Sequence, residues 1–186
     1  MKTKGIQLEK LKKEIGENKK LPLIEANLVF GEGNIDCEVM FIGEAPGANE
    51  DKLGRPFVGR SGQLLDKLLT EINLKRNSVY ISNIVKRRPP ENRDPLPKEI
   101  EAYKPYLEKQ IGIIKPKIIA TLGRFSMNYF LPLSKISNDH GKVFKTKEFI
   151  IYPLYHPAAG LRSTKVLKIL KKDFQNLSKI ISKTQE

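Results

Sequence analysis

The chain of 186 residues is long enough to form one domain with a sizeable core. Its 34 lysines and arginines outnumber 21 aspartates and glutamates, and the net charge of +13 favours a polyanionic partner such as nucleic acid, although a lysine-rich proteome would give the same excess. Membrane-spanning runs and a secretory signal are absent from the sequence, and a lone cysteine, Cys37, excludes an internal disulfide. We expect a single domain over residues 1–186, without a membrane segment, that is intracellular and cytoplasmic.

The first part of the chain predicts two helices and two strands. Apolar residues at helical spacing from Leu8 to Ile15 indicate an amphipathic helix. The apolar run Val39–Ile42 is typical of a buried parallel strand. A helical apolar stripe follows over residues 64–72, with Ser61 as its expected N-cap, and Val79–Ile81 is predicted to be the second strand.

The second part of the chain begins with an irregular basic loop over residues 86–97, because four prolines there prevent regular structure. Strands and helices then alternate again. The elements predicted after this loop are a helix from Pro97 to Ile114, a strand at Lys117–Leu122, a short helix ending near Phe130, a hairpin of Lys142–Phe144 with Phe149–Tyr152 (the latter also the fourth main strand), and a helix from Thr164 to Ile181.

This alternation predicts an α/β fold of three layers, α/β/α, around a short, mainly parallel, four-stranded sheet. Ligands of such sheets bind beyond the carboxyl ends of the strands, where the following residues meet. The residues expected at this edge are Glu44, Glu50, Asp51 and Phe57, then Asn83, then Gly123 and Arg124, and finally Tyr155, His156 and Arg162.

An aromatic ring and an amide at one edge suit a flat heterocycle as ligand. Phe57 would stack on its face and Asn83 would hydrogen-bond to its polar edge, although a strand-end asparagine also commonly caps a turn. His156 precedes a proline, which holds its backbone extended, and its ring suits hydrogen bonding to an oxygen that gains charge. A lone histidine is also commonly a surface residue or a satisfied core residue.

Three acids follow the first strand. Glu44, Glu50 and Asp51 are placed to position a water molecule or to stabilise a cationic sugar, and the alternative is that they complement a helix dipole. No metal site is predicted, because the chain lacks a His/Cys cluster and the spacing of a calcium loop. The glycines nearby do not have the spacing of a nucleotide-hydrolysing P-loop.

Taken together, these motifs resemble the uracil-DNA glycosylase superfamily, and its family 4 branch in particular. The resemblance covers nearly the whole chain, with the motifs in order. The segments that carry it are Gly43–Gly47, Glu50–Asp51, Pro56–Gly59, Asn83, Arg88–Arg93, Leu122–Arg124 and His156–Ala158.

The resemblance implies an enzyme that flips uracil out of DNA and hydrolyses its N-glycosidic bond, leaving an abasic site. Phe57 would stack on the base, Asn83 would bind its edge, and His156 would stabilise the departing anion, while Glu44, Glu50 and Asp51 would assist the sugar cation and the attacking water. Gly43 and Ala45 would belong to the substrate pocket. The residues expected to bind phosphate are Lys86, Arg87, Arg88, Arg93 and Arg162.

Two alternatives to this function remain open from the sequence. One is a catalytically weak relative that binds DNA and recognises lesions, and the other is a glycosylase for a different deaminated base such as hypoxanthine. For all three functions we expect a monomer that needs no diffusible cofactor and acts on single- or double-stranded DNA.

The chain departs from the family 4 pattern in one respect. Members of that family normally hold an iron–sulfur cluster through cysteines, and the matching positions here are Asn18, Leu21, the Lys86–Pro90 segment and Tyr103. One remaining cysteine cannot hold such a cluster, so we predict none. We expect Leu21 and Tyr103 to fill the vacated volume and Arg87 to turn toward DNA.

Overall fold

The computed structural model describes residues 2–185 as a layered α/β fold. Its helices are Lys2–Glu17 (α1), Ala48–Leu53 (α2), Arg60–Glu71 (α3), Pro97–Ile114 (α4), Arg124–Phe130 (α5), Ile136–Asp139 (α6), Pro157–Arg162 (α7) and Thr164–Gln185 (α8). Its strands are Glu32–Gly33 (β1), Val39–Gly43 (β2), Tyr80–Asn83 (β3), Ile118–Leu122 (β4), Phe144–Lys145 (β5) and Ile150–Leu154 (β6). None of the helices described is long and apolar enough to cross a membrane.

The strands form one sheet in the order β1-β3-β2-β4-β6-β5. The four inner strands are parallel, which confirms the predicted α/β fold and its parallel sheet. The predicted hairpin is also confirmed, since Phe144 of β5 pairs antiparallel with Ile151 of β6. The sheet has six strands because each edge of the four-stranded parallel part carries a two-residue antiparallel strand. One of these, β5, is the predicted hairpin strand at slightly different bounds, whereas β1 was not predicted, because two paired residues leave no periodic pattern.

Each face of the sheet is covered by its own pair of long helices. Met40 and Ile42 of β2 pack with α1 and α4, whereas Val39 and Phe41 of the same strand pack with α3 and α8. Side chains of a strand alternate between faces, so a strand covered on both sides must be apolar throughout. All five residues of β2 are buried accordingly.

Helix boundaries near the strand ends differ from those predicted. Helix α3 begins at Arg60 with Gly59 as its N-cap, so Ser61 lies inside the helix and does not cap it. The short helix α2 was not anticipated, because it contains no buried residue and therefore no apolar stripe. Helix α8 continues past Ile181 to Gln185.

Candidate active site

A cleft of about 580 Å³ opens at the carboxyl edge of the parallel strands. It lies where α2, α3 and α7 begin, so side chains that are distant in sequence converge there. Most of the residues predicted from the strand ends line it, namely Glu44, Ala45, Glu50, Phe57, Asn83, His156 and Arg162.

The floor of the cleft is formed by an amide and an aromatic ring that meet over a glycine. Asn83 is the last residue of β3 and pairs in register with Gly43 of β2. A β-carbon on Gly43 would lie 2.5 Å from Asn83 Oδ1 and 2.7 Å from the Phe57 ring, so a larger residue there would displace both groups. Asn83 Oδ1 is buried and accepts no hydrogen bond within the described part of the chain. A buried, unpaired acceptor is costly, and a ligand edge with an N–H group would satisfy it.

The ring of Phe57 is held by a strained but heavily braced loop. Its φ of 51° is in the left-handed region, which is unfavourable for a bulky residue. Glu50 Oε1 accepts the two backbone N–H groups that follow Phe57, at 2.9 and 2.8 Å. Arg76 donates to the carbonyl of Phe57 at 3.1 Å, and Gly62 of α3 leaves no room for a β-carbon against that same carbonyl. Glu50 therefore positions the ring.

His156 caps α7 and faces the ring of Phe57, with 5.6 Å between the ring centroids. Its Nδ1 accepts the backbone N–H of Ala158 at 3.1 Å, so the proton of the neutral ring lies on Nε2. Burial lowers the pKa of His156 to about 4, and the nearby cation of Arg162 acts in the same direction. The imidazole is consequently a neutral N–H donor at physiological pH, suited to an oxygen that gains negative charge.

Of the three predicted acids, the structure brings two to the cleft. Burial raises the pKa of Glu44 to about 7, with repulsion from Asp94 adding to the effect and Arg124 opposing it. A carboxyl group that titrates near neutral pH is suited to orienting water. Asp51 is not at the cleft, because its Oδ1 accepts the backbone N–H of Asn27 at 2.7 Å on the outer side of α2.

Two of the residues predicted to bind phosphate are buried, which corrects that assignment. Lys86 has no exposed surface, and its ammonium group donates to Ser82 Oγ, the Asn83 carbonyl and Gln110 Oε1. Arg87 is 7% exposed, and its guanidinium donates to the carbonyl of Ala26. Neither cation reaches a surface where a phosphate could lie, so Arg87 does not turn toward DNA.

The remaining predicted cations lie at or near the mouth of the cleft. Arg162 is exposed and lines it. Arg88 is half-buried, and its Nε donates to Asn92 Oδ1 at 2.8 Å. Arg93 forms a bidentate pair with Glu99, at 2.6 and 2.9 Å, so its charge is largely neutralised.

Sequence reasoning did not assign four polar residues of the cleft wall to the site, namely Asn49, Arg60, Ser61 and Asn92. Arg60 follows the Pro56–Gly59 motif directly, and that adjacency was a usable signal. Asn92 belongs to the Arg88–Arg93 motif, which was a usable signal as well. Asn49 lies in the unanticipated helix α2, which left no pattern in the sequence.

The positions that match the family's cluster cysteines are occupied by groups that do not ligate iron. Asn18 Nδ2 donates to Tyr106 Oη at 2.8 Å, and Tyr103 Oη donates to the carbonyl of Pro22 at 2.8 Å. Leu21 and Tyr103 are buried, as predicted, and the Arg87 guanidinium contacts the Tyr103 hydroxyl. An amide, an aliphatic chain, a guanidinium and a phenol replace the thiolates that such a cluster needs, so these residues do not fit the cluster.

Comparison with known proteins agrees with this geometry. Residues 30–182 match the family model described as the uracil DNA glycosylase superfamily. The chain is 49% identical to a type-4 uracil-DNA glycosylase of Sulfurisphaera tokodaii over 93% of its own length and 84% of the relative's. It is 45% identical to a protein of the same name from Saccharolobus solfataricus, over 88% of the chain and 80% of that relative. The chain therefore belongs to the uracil-DNA glycosylase superfamily.

Proposed function

We propose that this protein is a DNA repair enzyme that removes uracil from DNA by hydrolysing its N-glycosidic bond. The observation that carries the proposal is the unpaired, buried Oδ1 of Asn83 beside the ring of Phe57. A carboxamide offers one acceptor and one donor, which match the N3–H and the adjacent carbonyl of uracil, while the ring stacks on the face of the base. The names of relatives that are 40 to 49% identical over most of the chain support the same substrate.

The chemistry is divided between two residues that line the cleft, His156 and Glu44. When the bond between the sugar C1′ and the base N1 breaks, its electron pair moves onto the uracil ring. Nε2–H of His156 donates to the carbonyl oxygen of the base that gains this charge. Glu44 is the acid that orients the water attacking C1′, because Glu50 is engaged with the Phe57 loop and Asp51 lies outside the cleft.

Binding of DNA is assigned to arginines around the cleft. Arg60 and Arg162 line its wall and are exposed, and Arg88 and Arg93 lie on the adjoining loop. Each phosphate contact adds to the salt dependence of binding, so affinity for DNA should fall steeply as salt rises. Charge reversal at Arg162, as Arg162→Glu, should reduce this slope.

We also propose that the protein acts as a monomer, within one domain and inside the cell, where its substrate is found. All the residues of the cleft come from one chain, so no second subunit is needed to complete it. Light scattering of the purified protein tests the monomer.

The test of the function is cleavage of labelled oligonucleotides that contain uracil, hypoxanthine or no lesion, followed by alkali to break abasic sites. Wild type should cleave only after uracil, and Asn83→Ala and His156→Ala should each lose about 100-fold or more in kcat. Cleavage after hypoxanthine and not after uracil would show that the protein is a glycosylase for a different base. Salt-sensitive binding without cleavage of any oligonucleotide would contradict the proposal and identify a lesion-binding protein.

A further inference from the structure

The chain contains a buried lysine that the cleft chemistry does not use, and burial lowers the pKa of its amine to about 7. Lys86 follows β3 and has no exposed surface, yet no carboxylate pairs with it among residues 2–185. Its Nζ has three acceptors instead: Ser82 Oγ at 2.5 Å, the Asn83 carbonyl at 2.9 Å and Gln110 Oε1 at 2.7 Å. These match the three N–H groups of an ammonium ion. Burying a lysine costs more than burying methionine of similar length, so packing alone does not account for it.

The acceptors of Lys86 belong to a polar network that lies entirely inside the protein. Gln110 of α4 donates to the carbonyl of Phe30 at 3.0 Å and to Tyr80 Oη at 3.1 Å. Ser82 Oγ lies 3.1 Å from the same carbonyl. The network therefore ties the end of β3 to α4 and to the segment before β1, and buried networks of this kind rigidify their surroundings when every member is satisfied.

One member of the network is the main chain of the residue at the cleft floor. After Asn83 the chain leaves the sheet, and the N–H of Ile84 donates to the Gly43 carbonyl at 3.0 Å. The side chain of Lys86 folds back to the Asn83 carbonyl, so the peptide after Asn83 is fixed from both sides. Fixing this peptide also fixes the direction in which the side chain of Asn83 leaves the backbone.

Asn83 depends on this support because its own Oδ1 has no partner in the described structure. With no hydrogen bond to Oδ1, the direction of the carboxamide depends on its packing beside Gly43 and on the position of its backbone. We propose that Lys86 is a positioning residue that orients Asn83 for hydrogen bonding to the base. This inference rests on the proposed function, and it replaces the phosphate contact that the sequence suggested for Lys86.

A double-mutant cycle tests this role. Lys86→Met should lower kcat for uracil excision about 10- to 100-fold, with little change in KM or in the salt dependence of DNA binding. In an Asn83→Ala background the same change should cost less than about 2-fold, because the group that Lys86 positions is already gone. Lys98→Met, at an exposed position on α4, is the matched control and should match wild type throughout.

Two outcomes of the cycle would overturn the inference. Equal losses of kcat in the wild-type and Asn83→Ala backgrounds would indicate a purely structural role. If Lys86→Met leaves kcat unchanged but reduces the salt dependence of DNA binding, Lys86 contacts phosphate, as the sequence suggested. If Lys86→Met does not fold, Ser82→Ala is the substitute variant, because it removes one acceptor of Lys86. It should lower kcat about 2- to 5-fold, and this loss should disappear in the Asn83→Ala background. A loss of kcat that persists in that background contradicts the inference.

A second readout separates this inference from the proposed function. The side-chain amide resonance of Asn83, identified by its loss in Asn83→Ala, should shift or broaden in Lys86→Met and stay unchanged in Lys98→Met. This measurement needs no activity, so it applies even where wild type does not release uracil. An unperturbed Asn83 amide in a folded Lys86→Met variant would overturn the inference.

Discussion

Two neighbouring regions of this protein differ in how they compare with the family pattern. The base pocket, which we define as Gly43, Phe57, Asn83 and His156, retains every group that the pattern requires. The cluster positions, Asn18, Leu21, Arg87 and Tyr103, retain none of the cysteines.

The difference follows from what each region must do. For the proposed function, the pocket must present a donor, an acceptor and a ring at fixed points, and a longer amide or a larger ring would place these groups elsewhere. The cluster positions join the segment before β1 to α4 and the basic loop, and that link is formed here by hydrogen bonds of Asn18, Arg87 and Tyr103. Contacts that only hold segments together can be formed by different side chains, whereas the pocket needs particular groups at particular positions.

The largest expected effect is at the glycine of the pocket. Gly43→Ala would place a β-carbon 2.5 Å from Asn83 Oδ1 and 2.7 Å from the Phe57 ring, so both must move. Displacement of this size should lower kcat for uracil excision about 100-fold. Gly112→Ala is the matched control, because nothing lies within 4 Å of its added carbon on α4. It should keep full activity and gain about 1 kcal/mol of stability in urea unfolding. Retained activity in Gly43→Ala would show that the contact is dispensable.

The second prediction concerns pH. Glu44 has a pKa raised to about 7, so it is protonated below that value and ionised above it. If the carboxylate orients water, kcat should rise about 10-fold per pH unit below 7 and level off above it. His156, with a pKa of about 4, stays neutral over this range and adds no limb. Glu44→Gln should be slow and lose the limb, while Asp51→Asn should keep it. A limb that survives in Glu44→Gln would assign the titration to another group, and Lys86 is the candidate, because burial lowers its pKa to about 7 as well.

A smaller effect is expected at the cluster positions, on stability and not on chemistry. Tyr103→Phe removes the donor to the Pro22 carbonyl and should cost about 1 to 2 kcal/mol in the free energy of unfolding, with kcat nearly unchanged. Tyr129→Phe is the matched control, since its buried hydroxyl has no hydrogen-bond partner in the described structure, and it should be neutral or stabilising. A large fall in kcat for Tyr103→Phe would mean that this region controls the pocket directly.

The smallest effect on activity is expected from treatment with metal chelators. Because no thiolate stands at the cluster positions, the purified protein should contain no iron or acid-labile sulfide, and chelators or mild oxidants should leave its activity unchanged. Elemental analysis measures the iron content. A variant that carries cysteine at all four cluster positions is the comparison, and it tests whether iron binding can be restored. Stoichiometric iron in wild type would refute the prediction.

The alternating elements, and the residues that follow the strands, could be predicted from the amino-acid sequence alone. Apolar runs such as Val39–Ile42 identify buried strands, and parallel strands bring their carboxyl ends to one edge, so the meeting of Phe57, Asn83 and His156 follows from local pattern and topology. The edge strand β1 and helix α2 were not predictable, because two paired residues or one exposed turn leave no periodic signal.

The contacts of the charged residues, in contrast, could not be predicted before the folded structure was known. Lys86 and Arg87 form part of a basic run that, in sequence, looks like a surface for phosphate, but both are buried by α4 and the segment before β1. Glu50 and Asp51 are adjacent in sequence, yet one braces the Phe57 loop and the other faces away from the cleft. Apolar burial follows a periodic pattern along the chain, whereas the role of a charge depends on partners that other segments bring to it, and those partners are known only once the chain has folded.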